Sequence, residues 1–511
     1  MPRLDIESPD ASTELFVVGG GYQLVARGTG ALQASLAPGV YKVRAVSGRA
    51  DWEELLVLDA DRVLRVPAVE FGSAVPLSHT SRSHEYHMLA AREATANLPP
   101  PGVPPPTPRR GLAMAAARRP RTGSQAHGAA LTFMARWWTP PSATPPAAPL
   151  ADPAGGARLL DAGGRLLMPL DAGGMEIAAG LDTLSDPLRI EPPSQARAVS
   201  ERMVWQDVIG DRYTATSMRA DPGIYTLQLR DRGFRTERSI PLLGGWRTQV
   251  FALYEPREVG VDDGPPRLVD LAIHVAREGF REDDPGARDT EAARFALADE
   301  RSVAGPELIE AARSRAPLPM LLLFSAHLLL VLRAKEVVDR RRGTDRPDRR
   351  MRYDHDAFLD LVARVAAVFG DEHPDVRALR DRATDPLGDA PLRALPMIAR
   401  GWQRLLRRSV DEPALVPVAL WRRACRPMPI RPFLGWATAR PGSAAARRAV
   451  SATEKALTEM VRRDPALRAA GRDSASRAKA LEDLRQAAVR RLDVPRAFVD
   501  ATLSADLPGA Q

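Results

Sequence analysis

Three of the eight histidines fall within nine residues, in His79-Thr80-Ser81-Arg82-Ser83-His84-Glu85-Tyr86-His87. Imidazole and carboxylate are zinc ligands, and three of them around an open position would make a catalytic metal site from His79, His84, Glu85 and His87. The spacing is not the helical i, i+4 histidine pair of the metalloprotease type. The same composition suits a polar connector leading into a helix over 85–96. That second reading leaves the chain without a metal, and none is expected.

Other chemistries find less. Cys425 is the single cysteine, set in Trp421-Arg422-Arg423-Ala424-Cys425-Arg426-Pro427. Neighbouring arginines would lower a thiol pKa, but no histidine is near in sequence, and a buried structural thiol is the preferred reading. One cysteine excludes an intramolecular disulfide and a multi-cysteine metal site, which fits a reducing cytoplasm. No Gly-x-Ser-x-Gly elbow, P-loop or dinucleotide fingerprint is present. No catalytic residue, cofactor or small-molecule substrate is therefore expected.

Two features could recognise partners. Arg340, Arg341, Arg342, Arg346, Arg349, Arg350 and Arg352 stand against two aspartates in 340–352. A nucleic acid, an anionic membrane or an acidic protein could use that loop. Tyr353 alone is nearby, so base stacking is not supported. The second feature is Trp137-Trp138, an aromatic pair inside a proline-rich stretch, read as a docking motif or as packing on a neighbouring domain.

The chain that must position these groups has 511 residues, enough for two to four domains. Its 72 basic residues include only four lysines, against 64 acidic residues. Arginine is spread evenly, as under base-composition pressure in a GC-rich bacterium, so the net +8 is weak evidence for phosphate contacts. Nothing at the N-terminus has the charged-then-apolar layout of a signal peptide. The apolar run over 318–332 is shorter than the roughly 20 residues of a bilayer span and is read as a core helix.

Residues 12–70 read as short strands punctuated by glycine and aspartate. Residues 99–150 hold long proline runs and read as a disordered linker, preceded by a connector helix over 79–98. Residues 151–256 return to β character and carry an internal repeat. Pro38-Gly39-Val40-Tyr41 aligns with Pro222-Gly223-Ile224-Tyr225, 184 positions on. The same offset sets Leu56-Val57-Leu58 on Ile240-Pro241-Leu242 and 62–66 on 246–250. Proline fixes φ, glycine turns the chain, and a β-branched residue enters the strand.

The strand Leu36-Ala37-Pro38-Gly39-Val40-Tyr41-Lys42-Val43 resembles the L-x-P-G-x-Y-x-V element of carboxypeptidase-regulatory-like and PEGA-like modules of the prealbumin type. The second copy has Ala220 in place of the leucine. The resemblance spans about 60 residues per copy and implies small β-sandwiches of accessory, binding or spacing type.

From about 265 the pattern turns helical, beginning with a short helix over 268–278. Helices follow over 318–339, 354–369, 374–383, 391–409 and 412–424, with Leu395, Ile398, Trp402, Leu405 and Leu406 forming one stripe. Three polar helices follow over 446–463, 474–492 and 495–503. The expected fold is thus multidomain: two small all-β sandwich modules (1–78 and 151–256), an all-α bundle or irregular repeat over 265–430, and polar helices over 440–511. The expected function is a cytoplasmic bacterial scaffold that binds protein partners. The alternatives are a metal-dependent enzyme using the histidine cluster and a nucleic-acid or membrane adaptor using the arginine loop.

Overall fold

The computed structural model describes residues 1–9, 13–47, 50–67, 72–78, 83, 85–96, 128–138, 153–162, 164–170, 184–186, 200–206, 212–231, 234–255, 267–300, 306–314, 317–342, 353–380, 390–428, 430–438, 444–469 and 474–506. Strands dominate the N-terminal half and helices the C-terminal half. Two compact units interleave in sequence. The first comprises 1–156, 167–223 and 241–354, and the second 157–166, 224–240 and 355–511.

The first unit opens with β1 (Arg3–Glu7), β2 (Glu14–Gly19), β3 (Leu24–Thr29), β4 (Ala31–Ser35), β5 (Gly39–Ser47), β6 (Ala50–Leu58) and β7 (Arg62–Arg65). They form one sheet in the order β6-β5-β2-β3-β4-β1-β7. β1 runs antiparallel to β4 and parallel to β7. Leu4, Ile6, Leu15, Val17, Val43, Ala45, Leu56 and Leu58 alternate inward to make its core. Helix α1 (Glu85–Ala96) follows.

The chain then gives β8 (Ala129–Trp137), β9 (Arg158–Leu160), β10 (Leu166–Pro169), β11 (Leu184–Asp186), β12 (Ser200–Gln206), β13 (Arg212–Ala220), β14 (Gly223–Asp231), β15 (Phe234–Leu242), β16 (Arg247–Glu255) and β17 (Arg267–Ala276). Within the first unit, six of these form a sheet ordered β11-β12-β13-β8-β16-β17, and α1 packs on it. Met134, Trp138, Tyr213, Phe251 and Leu253 meet Ala90, Ala91 and Ala94 of that helix.

Two expectations are corrected here. The span 99–150 is not linker throughout: β8, buried along its whole length, is the strand between β13 and β16. Its composition, AALTFMARW, supplies one face to each side of a central strand, a signal hidden by proline-rich flanks. Residues 99–127 and 139–150 lie outside the described residues. The expected helix over 268–278 is instead β17, so the second β region reaches beyond 151–256 in both directions. A continuous apolar run reads the same for a buried helix and a strand buried on both faces; here Val269, Ile273 and Val275 favour the strand.

Helices α2 (Pro285–Ala298), α3 (Pro306–Arg313) and α4 (Pro319–Arg342) complete the first unit. Met320 to Phe324 and Leu328 to Leu332 are buried, as expected of a core helix. Among the described residues no helix is long and apolar enough to cross a membrane.

The second unit holds α5 (His355–Phe369), α6 (Pro374–Leu379), α7 (Ala399–Arg408), α8 (Val418–Ala424), β18 (Trp436–Ala437), α9 (Ala444–Arg463), α10 (Pro465–Ala469), α11 (Ser474–Leu492) and α12 (Arg496–Asp506). One core joins Trp402, Leu405 and Trp421 to Leu457, Leu484, Val489 and Phe498 of the terminal helices. Its sheet runs β9-β14-β15-β18, with β10 starting at Leu166 on the outer side of β9. Two helices start later than expected. Leu395 and Ile398 are buried but lie before the helix; Ile398 is extended, and Pro396 disfavours helix at Leu395. Pro417 likewise caps α8 rather than lying inside a helix over 412–424.

The repeat is geometric as well as sequential. β5 and β14 have the same nine-residue bounds 184 positions apart, and so do β6 and β15. A second correspondence, 142 positions apart, joins β2 to β9. Val17 faces Val43 as Leu159 faces Leu227, the latter pair being the same β5 and β14 positions. The turns after them match bond for bond. Gly19 N–H donates to Gln23 O and Asp161 N–H to Arg165 O; Tyr22 N–H donates to Gly19 O and Gly164 N–H to Asp161 O. Tyr22 and Gly164 both have positive φ, 61° and 86°, so the turn demands a left-handed residue at that position. Finally, β8 runs antiparallel to β13 and parallel to β16, as β1 does to β4 and β7.

Candidate functional site

Of the candidate metal ligands His79, His84, Glu85 and His87, only the His87 side chain is among the described residues. His79 and His84 lie outside them. Glu85 opens α1, and its side chain lies outside them too. His87 is fully buried and stacks edge-on against Tyr213 at 5.4 Å. Among the described residues no three His, Cys, Asp or Glu side chains are placed to hold a metal ion together.

Of the two readings of Trp137-Trp138, the side chains pack rather than project. Both side chains are buried, Trp137 against Tyr254 and Trp138 in the core beneath α1. Of the arginine run, Arg340 to Arg342 belong to the last turn of α4 rather than to a loop, and Arg340 pairs with Glu336. Arg346, Arg349, Arg350 and Arg352 lie outside the described residues. Cys425 is partly buried and its thiol donates to Arg422 O at 3.2 Å. Burial pushes the Cys425 pKa up, offset in part by a backbone hydrogen bond and then by Arg426.

The polar chemistry instead gathers at three places that the sequence did not single out. The first, in the first unit, centres on Arg294. Asp270 and His274 point to one face of β17, and Glu291 and Arg294 stand one turn apart on α2. Arg294 Nη1 and Nη2 each donate to an Asp270 oxygen at 2.8 Å. Its Nε donates to Glu291 Oε1 at 2.9 Å, its second Nη2 hydrogen reaches Glu291 Oε2 at 2.6 Å, and Nη1 also reaches Leu271 O at 2.9 Å. All five guanidinium hydrogens are thereby used. His274 Nε2 lies 2.9 Å from Glu291 Oε1, and Ser73 Oγ donates to Glu291 Oε2. Ala74 N–H donates to Asp270 Oδ2 at 2.9 Å. Arg136 of β8 donates to the carbonyls of Ser73 and Ala74. Burial alone would raise the Glu291 pKa, but Arg294 and then His274 outweigh it and hold the carboxyl at about 2. Asp270 and Glu291 similarly outweigh burial and hold the Arg294 pKa up. A cluster with its donors consumed internally clamps the 73–74 segment, β17 and α2 together.

The second place, in the second unit, centres on Glu237 of β15. Its Oε2 accepts from Trp436 Nε1 of β18 at 3.0 Å and from Arg423 Nη2 of α8 at 3.1 Å. Its Oε1 accepts from Gln228 of β14 at 3.0 Å. Arg423 continues to Ala162 O at 2.6 Å and Thr226 Oγ1 at 3.2 Å. The β9 turn, the sheet, α8 and β18 are thus tied to one carboxylate.

The third place is His373-Asp375 at the start of α6. Asp375 accepts from the N–H groups of Met397 and Ile398 at 2.7 and 3.0 Å. Burial pushes its pKa up to about 7 despite those donors. Burial pushes His373 down to about 3, so it stays a neutral imidazole whose Nδ1 accepts from Asp375 N–H. The pair fixes the 397–398 backbone against the helix start.

Sequence could have hinted at two of these places: Asp284-Pro285 is a helix-opening signal upstream of Glu291 and Arg294, and His373-Pro374 is another. Several large apolar side chains are exposed. On the first module Tyr22, Leu24, Val40, Leu55 and Val57 face outward. No family model, no curated protein and no solved structure matches the chain.

Proposed function

We propose that this chain is a non-enzymatic interaction protein of a bacterial cytoplasm, built from two related β-sandwich modules of the prealbumin type and a helical bundle. The matching pairings of the two copies support the module reading. The internally consumed Arg294 and Glu237 clusters support a structural use of the buried charges. The observation that carries the binding role is the exposed face of the first module, where Val40, Leu55 and Val57 stand on adjacent strands. Contiguous exposed apolar surface marks interaction sites.

Cross-linking tests this. Lys42 lies directly across from Leu55 and is one of only four lysines. Immobilised full-length chain exposed to lysate and treated with an amine-reactive cross-linker should capture a protein joined through Lys42. Elemental analysis of the purified chain should find no stoichiometric zinc. Stoichiometric zinc, or no captured partner, contradicts the reading.

A further inference from the structure

The two copies differ at one strand edge. In the second copy, the outer side of β15 is covered by β18, running antiparallel with Thr236 opposite Ala437 and Glu237 opposite Trp436. Thr438 N–H donates to Arg235 O at 2.8 Å, and Trp436 reaches Glu237 as described. Gly435 is required there, because a Cβ would lie 2.6 Å from Met428 O. The equivalent positions in the first copy are Asp51, Trp52 and Glu53 of β6. β6 ends its sheet, and among the described residues no strand pairs with its outer side. It holds nine residues in unbroken register with β5, without proline, glycine or bulge. Such an edge is a template for strand addition.

The faces differ in the same way. Leu55 is 72% exposed and Val57 59%. Ser239, the counterpart of Leu55, is 3% exposed and donates to Leu395 O. Charge adds direction. β6 carries Asp51, Glu53 and Glu54 and no basic residue of its own; Lys42 and Arg44 of β5 and Arg62 of β7 pair with these carboxylates in exposed contacts that an added strand would compete with. The segment 426–440 that contains β18 carries Arg426, Arg431 and Arg440 and no acidic residue.

We propose that the β6 edge accepts an extended, arginine-bearing segment of a partner protein as an added antiparallel strand. An apolar side chain of that segment covers Leu55, and a hydrogen-bond donor two residues on, such as an indole, faces Glu53. Leu434-Gly435-Trp436 is the internal template for this occupant. Backbone bonds supply the affinity and the two side chains the selectivity. The inference rests on the interaction-protein reading and names its surface and ligand.

The probe is a fluorescein-labelled peptide of residues 426–440, titrated with full-length chain by anisotropy. Saturable binding is expected, weakened at least about tenfold by Leu55→Asp with Val57→Asp. Both side chains are exposed, so the thermal transition should not move. If it moves, Leu55→Ser with Val57→Ser serves instead and should still weaken binding. Absence of saturable binding, binding that neither pair weakens, or Leu55-dependent self-association of the chain in place of peptide binding each overturns the proposal. A partner captured from lysate with undiminished yield by the double variant overturns the β6 assignment alone. Failure to capture any partner overturns the broader reading.

Discussion

Arg294→Met is expected to destabilise the first unit by about 3–5 kcal/mol, the usual cost of removing one partner from a buried ion network. Methionine roughly fills the volume but leaves Asp270 and Glu291 facing each other without a cation, both buried. A backbone N–H, Ser73 and His274 would remain on the carboxylates, which is too little to replace five guanidinium donors. Denaturant titration followed by tryptophan fluorescence checks this, since Trp138 lies in the core of that unit. The same cluster sets an acid limb. Glu291 titrates at about 2 in the folded chain against an ordinary value of 4.5. A folded pKa lowered in this way adds stability that is complete above about pH 4.5 and is lost as pH falls toward 2. In Arg294→Met that limb should flatten, because the main group that lowers the pKa is gone and only His274 remains. A cost below about 1 kcal/mol with an unchanged acid limb would show that the cluster does not clamp the unit.

Trp436→Ala should have a comparable effect on the second unit, about 3–5 kcal/mol for deleting a fully buried indole. Beyond the cavity, Glu237 loses the indole N–H and keeps Arg423 and Gln228. β18 pairs through only two residues, so loss of Trp436 should release it from β15. Trp436→Phe separates the two contributions. It refills most of the cavity but cannot donate, and should recover more than half of the loss. Equal losses for Ala and Phe would place the whole effect in the hydrogen bond; a loss under about 1 kcal/mol for Ala would mean that β18 is not an integral strand.

The parts of this architecture that were legible in sequence are those where local chemistry is strict. Pro38-Gly39-Val40-Tyr41 and Pro222-Gly223-Ile224-Tyr225 announce the same turn and strand, and the strands that follow share their bounds. The 142-position match was not legible. Phe16-Val17-Val18 and Arg158-Leu159-Leu160 have little in common as letters, and only register, turn hydrogen bonds and a shared positive φ reveal them. Strand β8 was hidden by proline-rich flanks, and β17 by an apolar run that suits either period. The buried charges were missed for a different reason. Glu291 and Arg294 at i, i+3 read as a solvated helix pair, and only the pairing of β17 with β16 and the packing of α2 on it put them inside. The candidate site was legible only as residue types. Leu55 and Val57 look like ordinary strand residues until the second copy shows the equivalent edge covered.

The central claim is that one copy of the repeat has its strand edge filled by its own chain, whereas among the described residues no strand covers the matching edge of the other. Residue-resolved amide hydrogen exchange on the free full-length chain tests this most directly. The stretch Arg235–Glu237 under β18 should be protected throughout, whereas at the matching stretch Asp51–Glu53 only the amides bonded to β5 should be slow and the outward ones fast. Equal protection of the outward amides at both edges would contradict the account.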